Sequence, residues 1–330
     1  MLAILLILVL TLHLAAVGAA AAAPLACIWL EWREGRGDEA AGRLGRYLAR
    51  RSLLWLSAGI VLGALAGAIA WWLHGQAWLD TFRPIPTRRL WFGLLELAFY
   101  YLCMGLYCGF WERLRQRRVR HRLLALLAAF NLLYHFPPLF SAVAVLALRP
   151  ELRDQAFITL LLHPEALART LHHLLVCGVL AGVAWMLATL RVEHSSSNTD
   201  DDRRLAAWGA RLALAATVLQ LPAGIFLLIQ LPAVSQARLL GGDWTCACLF
   251  AAAILAFVGL LHHLAAVALS GGTRSEILRA AALLGMTMLL MIALGERTRR
   301  EAPDVRNSKH EARNPKQIRN SKEAMIETPV

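Results

Sequence analysis

HPEALARTLHHLLVCGVLAGVAWMLATL, residues 163–190, is the stretch that decides the fold. From Thr170 to Leu190 it holds no Asp, Glu, Lys or Arg. At about 1.5 Å per residue this part forms a helix of roughly 30 Å, the thickness of a bilayer's hydrocarbon core. Apolar side chains occur all round such a helix, so it cannot be the amphipathic surface helix of a soluble domain. Pro164 and Glu165 suit its first turn. Proline lacks the N–H that a helix start leaves unpaired, and a carboxylate favours the positive end of the helix dipole. About two turns further in stand His172 and His173, with Arg169 three residues before His172 on the same face.

Seven more runs of this kind occur, at about 2–30, 53–73, 90–110, 123–148, 205–231, 244–269 and 277–294. The chain of 330 residues is 58% hydrophobic and only 17% charged, where soluble domains carry about a quarter charged residues. The reading is all-α: a polytopic transmembrane helix bundle of about eight spans in residues 1–297, followed by a disordered basic tail at 298–330. All three lysines, Lys309, Lys316 and Lys322, lie in that tail, within a repeated Arg-Asn-x-Lys pattern. The first run lacks a preceding Lys or Arg and continues through Pro24 to Leu30, so it reads as a retained helix and not a signal peptide.

The net charge of +12 is unevenly placed. Arg33, Arg36, Arg43, Arg46, Arg50 and Arg51 follow the first span; Arg113, Arg115, Arg117, Arg118, Arg120 and Arg122 follow the third; Arg191, Arg203 and Arg204 follow the fifth. The alternate links are poorer. Basic loops stay cytoplasmic, which puts the N-terminus outside. The arginines thus read as topology signals and not as a nucleic-acid surface. An even number of spans then sends the basic tail outward, against the same rule.

Ionisable residues inside the spans include His13, His135, His172, His173, His262, His263 and Glu96. Ionisable groups in hydrocarbon are costly and mark function by default. Imidazole is the usual protein ligand of haem iron. His172 and Arg169 offer, from one helix, a ligand for the iron and a cation for haem propionates, and Gly178 and Gly182 would let neighbouring helices close round the ring edge. His13 offers a second ligand, Glu96 a proton path or an iron ligand, and His262 with His263 a weaker, separate metal site. Met286, Met288 and Met291 are core fillers that could also supply a thioether. His135 reads as a helix–helix hydrogen-bond partner, with Asn131 one turn away. No C-x-x-C-H occurs, so covalent haem attachment is not indicated. Gly59, Gly63 and Gly67 form a close-packing face. Pro137-Pro138 predicts a kink near Leu133–Tyr134.

Three segments, taken in order, resemble the N-terminal part of subunit I of cytochrome bd-type quinol oxidases. They are Leu12-His13-Leu14 with the later Glu31-Trp32-Arg33; Glu96 with the closing Phe110-Trp111-Glu112-Arg113-Leu114; and His163-Pro164 leading to Arg169 and His172. The resemblance covers residues 1–190. It implies haem b, with His172 as axial ligand of a low-spin haem and His13 as ligand at a high-spin site. It also implies electron transfer toward oxygen reduction, a second membrane subunit, a quinol or cytochrome donor, and a bacterial-type inner membrane. The chain departs from that family in its short link near Pro232–Asp243, where the family has a long quinol-binding loop, and in lacking a Gly-Arg-Gln-Pro-Trp segment. Little or no quinol oxidation by this chain alone is therefore expected. The rival reading is a haem-free polytopic membrane protein: a solute carrier, an assembly factor or a structural subunit.

Overall fold

The computed structural model describes residues 1–113, 117–192 and 199–300. In order come α1 (Leu2–Glu34), α2 (Glu39–His74), α3 (Gln76–Leu79), α4 (Thr87–Gly109), α5 (Arg118–Leu148), α6 (Phe157–Leu161), α7 (Pro164–Thr189), α8 (Thr199–Gln230), α9 (Ala233–Ala237), α10 (Trp244–Ser270) and α11 (Arg274–Arg300), with no strand among the described residues. Eight of these, α1, α2, α4, α5, α7, α8, α10 and α11, are long and apolar enough to cross a membrane. They match the eight apolar runs of the sequence.

The largest difference is at α2, which begins at Glu39 and not near residue 53. The arginine-rich link is itself helical. Asp38 caps it by accepting the Ala41 N–H at 3.1 Å, and Ala40, Ala41, Leu44 and Leu48 bury its apolar face. The kink expected at Pro137-Pro138 does not interrupt α5, which is helical from Arg118 to Leu148. The end of α2 meets the end of α11 through His74 and Glu296, 3.1 Å apart. The chain therefore finishes α11 on the side where α1 starts. Residues 301–330, nearly all of the tail, lie outside the described residues.

Consecutive spans pair as hairpins: α1 with α2, α4 with α5, α7 with α8, and α10 with α11. One core lies mainly among α1, α2, α4 and α5, another mainly among α7, α8, α10 and α11; α1 and α7 pack together and join the halves. Lipid tails are as apolar as leucine, so such helices associate chiefly by close packing of small residues. The alanines Ala19 to Ala23 are all buried, and consecutive positions point all round a helix, so α1 is enclosed there on every side. Pro24 has no N–H to give the Ala20 carbonyl. The Tyr100 hydroxyl of α4 donates to that carbonyl at 2.7 Å, which satisfies it inside the bundle.

Glycines set the closest approaches. A Cβ on Gly182 would stand 2.5 Å from the Gly209 carbonyl oxygen, so α7 and α8 meet backbone to backbone. Gly182 thus serves a helix crossing. At the end of the bundle where α2 begins, Asp38 accepts from Arg204 at 2.6 Å and lies 3.5 Å from Arg33. Burial pushes the Asp38 carboxyl up, but the hydrogen bonds from Arg204 and Ala41 and the two guanidinium charges outweigh it and hold it below the ordinary value.

Candidate functional site

His13 sits in a notch of α2. Its Nδ1 is 2.8 Å from the Gly59 carbonyl oxygen. A carbonyl only accepts, so Nδ1 carries the hydrogen and Nε2 keeps its lone pair. A Cβ on Gly63 would stand 2.7 Å from His13 Cε1. One turn along, Gly59 makes the same room for Val17. The glycine face expected in the second span therefore receives α1, and His13 with it.

On α7, which packs against α1, stand His172 and His173, both half-buried. His172 Nδ1 is buried with no hydrogen-bond partner, so the fold leaves a bare imidazole nitrogen inside the bundle. Arg169 is not free to swing. It donates twice to Glu165 Oε1, at 3.0 and 2.7 Å. Glu165 is fully buried and accepts Arg149 Nε on its other oxygen at 2.9 Å. Arg149 also donates to the Gln230 carbonyl at 3.1 Å. Two arginines against one carboxylate leave net positive charge one turn from His172.

Glu96 of α4 faces α5. Its Oε1 is 3.2 Å from His135 Nδ1, and Asn131 donates to the Glu96 backbone carbonyl at 2.7 Å. His135 is a helix–helix partner as its sequence context indicated, but its mate is Glu96. The pair leaves two buried atoms without partners, Glu96 Oε2 and His135 Nε2.

Other candidates are not drawn into a site. His262 is exposed and His263 half-buried on α10, with ring centroids 5.3 Å apart. No group of three or more His, Cys, Asp or Glu that could hold a metal ion occurs among the described residues. Cys246 is buried and Cys248 exposed. Met286 and Met291 are exposed, and Met288 packs against the core among α7, α8, α10 and α11.

Sequence reasoning missed a buried network at the other end of α1. Glu31 Oε2 accepts from the Tyr107 hydroxyl at 3.2 Å and lies 3.0 Å from His121 Nδ1. His121 Nε2 is 2.8 Å from the Tyr107 carbonyl oxygen, and the two rings stack with centroids 4.0 Å apart. Arg122 Nε lies 3.4 Å from Glu31 Oε1. Both imidazole nitrogens face oxygen acceptors, so Glu31 and His121 must share a proton between them. Glu31 entered the sequence reading only within the Glu31-Trp32-Arg33 segment and His121 not at all; a carboxylate closing an apolar run was the one hint of burial.

No family model matches this chain, and no curated protein matches it. Among solved structures it is similar to a chain of the bd oxidase from Geobacillus thermodenitrificans, with a TM-score of 0.67 and 15% identity over 89% of this chain and 84% of that one. At that identity the likeness establishes a shared fold, and it runs well beyond residue 190, where the sequence resemblance stops.

Proposed function

We propose that this chain is a haem-b cytochrome subunit of a membrane oxidoreductase with the bd-oxidase fold, carrying electrons toward oxygen reduction. The observation that carries this reading is a buried His172 nitrogen on α7 without a partner; α1, which packs against α7, carries a His13 ring held by Gly59 with its Nε2 lone pair unused. An unsatisfied buried polar group costs about 1–3 kcal/mol. Ligation of iron by His172, with a second site at His13, would remove that cost. The donor chemistry fits the group. Imidazole is a common haem axial ligand, and a backbone carbonyl on the opposite ring nitrogen is the usual way of fixing the ligating one.

When bound, haem b supplies one-electron redox chemistry. The chain's own residues then have definite tasks. Gly59 fixes the tautomer of His13, and Gly63 leaves room for its ring. Glu165 fixes Arg169, so that positive charge stays one turn from His172, where carboxylates of the ring would lie. Glu96 and His135 hold a proton between Oε1 and Nδ1, with Oε2 and Nε2 left to receive or release one. The link near Pro232–Asp243 is filled by α9 and a π turn, which leaves no long donor-binding loop. A quinol or cytochrome donor and a second membrane subunit complete the proposed system, with little or no quinol oxidation by this chain alone.

The test is a reduced-minus-oxidised visible spectrum of purified, folded protein from haem-replete cells. Haem b bands that weaken in His172→Ala are expected. Their absence in the unsubstituted protein would refute the reading and favour a haem-free carrier, assembly factor or structural subunit. That alternative draws on one observation: His13 and the Glu96–His135 pair already have partners across helices.

A further inference from the structure

A second feature owes nothing to the imidazoles. At the end of the bundle where α2 starts, a cleft of about 820 Å³ opens between α2, the turn after α4 and the end of α7. Five arginines line it, Arg43, Arg46, Arg50, Arg113 and Arg191, against one carboxylate, Glu112. Arg43, Arg46 and Arg50 recur every three to four residues and so stand on one face of α2. Arg113 and Arg191 arrive from two other parts of the chain.

Their partners do not neutralise them. Arg46 is bonded to Glu112 and lies 3.9 Å from Glu34. Arg43 has only a 3.9 Å approach to an exposed Glu39, and its Nε is buried with no acceptor. Arg50, Arg113 and Arg191 are exposed, and none forms an ion pair with a carboxylate among the described residues. Three unneutralised guanidinium groups around one cleft, with a buried N–H donor lacking an acceptor, call for an anion with several oxygens. Guanidinium matches phosphate geometry through paired N–H donors.

The surroundings select the source of that phosphate. The cleft lies where the polar half of α2 gives way to its membrane-spanning half. Trp111 and Tyr47 are among its walls, and tryptophan and tyrosine favour the headgroup level of bilayers. Just beyond Arg50, Leu54 is exposed on α2, and further along Val61 is too. An acyl chain descending from the cleft would run along those side chains. A soluble phosphate would gain nothing from them. Basic pockets between transmembrane helices are established headgroup sites in general.

We infer that this cleft binds the phosphate of an anionic phospholipid, held by Arg50, Arg113 and Arg191 with Arg43 beneath. The complete chain, purified in detergent, is mixed with phosphatidylglycerol, phosphatidylcholine or inorganic phosphate, and retained lipid is counted by native mass spectrometry. Phosphatidylglycerol is retained and phosphatidylcholine is not. Each arginine near an anionic headgroup is worth roughly fivefold, so Arg50→Gln with Arg191→Gln weakens phosphatidylglycerol binding about 30-fold. Arg83→Gln with Arg88→Gln, at the opposite end of the bundle, leaves it unchanged. If the double variant does not fold, Arg191→Gln alone gives about a fivefold loss. Equal retention of both lipids, or unchanged retention in the Arg191 variants, overturns the inference. Displacement by inorganic phosphate at concentrations matched to the lipid overturns the lipid as its source. None of these readings depends on haem, so this proposal and the cytochrome reading stand or fall separately.

Discussion

Gly182→Ala tests whether α7, the helix that carries His172, is placed by backbone contact with α8. The new Cβ would lie 2.5 Å from the Gly209 carbonyl oxygen, 2.7 Å from Ala213 N and 2.8 Å from Ala213 Cβ. Ordinary contact begins at 3.4 Å, so the helices must part by about 1 Å. Two of the three obstacles are backbone atoms, and no side chain can swing aside. Over-packing of this kind costs about 1–3 kcal/mol. A gap of that size also forfeits about a quarter to a half of each dispersion contact along the crossing. We expect a total loss near 3 kcal/mol, at the upper end of that range. Two neighbouring cases calibrate it. Gly178→Ala meets only the Ala216 methyl at 3.2 Å, and should cost under about 1 kcal/mol. Gly105→Ala on α4 meets nothing within 4 Å, and should gain about 0.5–1 kcal/mol from helix propensity. Reversible unfolding in mixed micelles, followed by tryptophan fluorescence, ranks the three; Trp185 lies at this crossing and reports on it. Equal stability of the Gly182 and Gly105 variants would refute the argument.

Removing Glu165 should be about as costly. Glu165→Ala leaves Arg149 and Arg169 facing each other without a counter-ion, and an unfolding loss of about 3 kcal/mol is expected; a loss below about 1 kcal/mol would mean that solvent already screens the two charges. Asp38 predicts an acid response. Its carboxyl is held below the ordinary value, so its contribution is complete above the unfolded carboxylate's pKa, near 3.8, and is lost as pH falls through the lower folded one. Unfolding measured from pH 7 downward should therefore show a loss below about pH 4 that is smaller in Asp38→Asn, Asp243 and Glu276 being held low as well; an identical acid profile in that variant would contradict the assignment.

The spans were legible because crossing a bilayer is a local property. Twenty apolar residues in a row announce themselves whatever they later touch, and all eight runs became helices. The α2 extension was not legible because its arginines interrupt the apolar run, and the spacing of Ala41, Leu44 and Leu48 gains meaning only once that face is buried against a neighbouring helix. The glycine face of α2 was readable as a close-packing surface, but not that it would seat His13. The alanines of α1 were readable only as small residues; their burial at the centre of the bundle depends on which helices surround them.

The pairing of polar groups was readable only in part: His135 was expected to bond across helices, but not to Glu96. Glu31 and His121 are 90 residues apart, and Arg149 reaches Glu165 and Gln230 across three helices. Such meetings depend on the order and rotation of whole helices about one another, which tertiary packing alone decides. The chain's composition therefore determined that it lies in a membrane and how many times it crosses, because each segment's transfer free energy is its own. Which imidazole is bonded, which carboxylate is shared and which arginines stand open were decided only when the helices closed together.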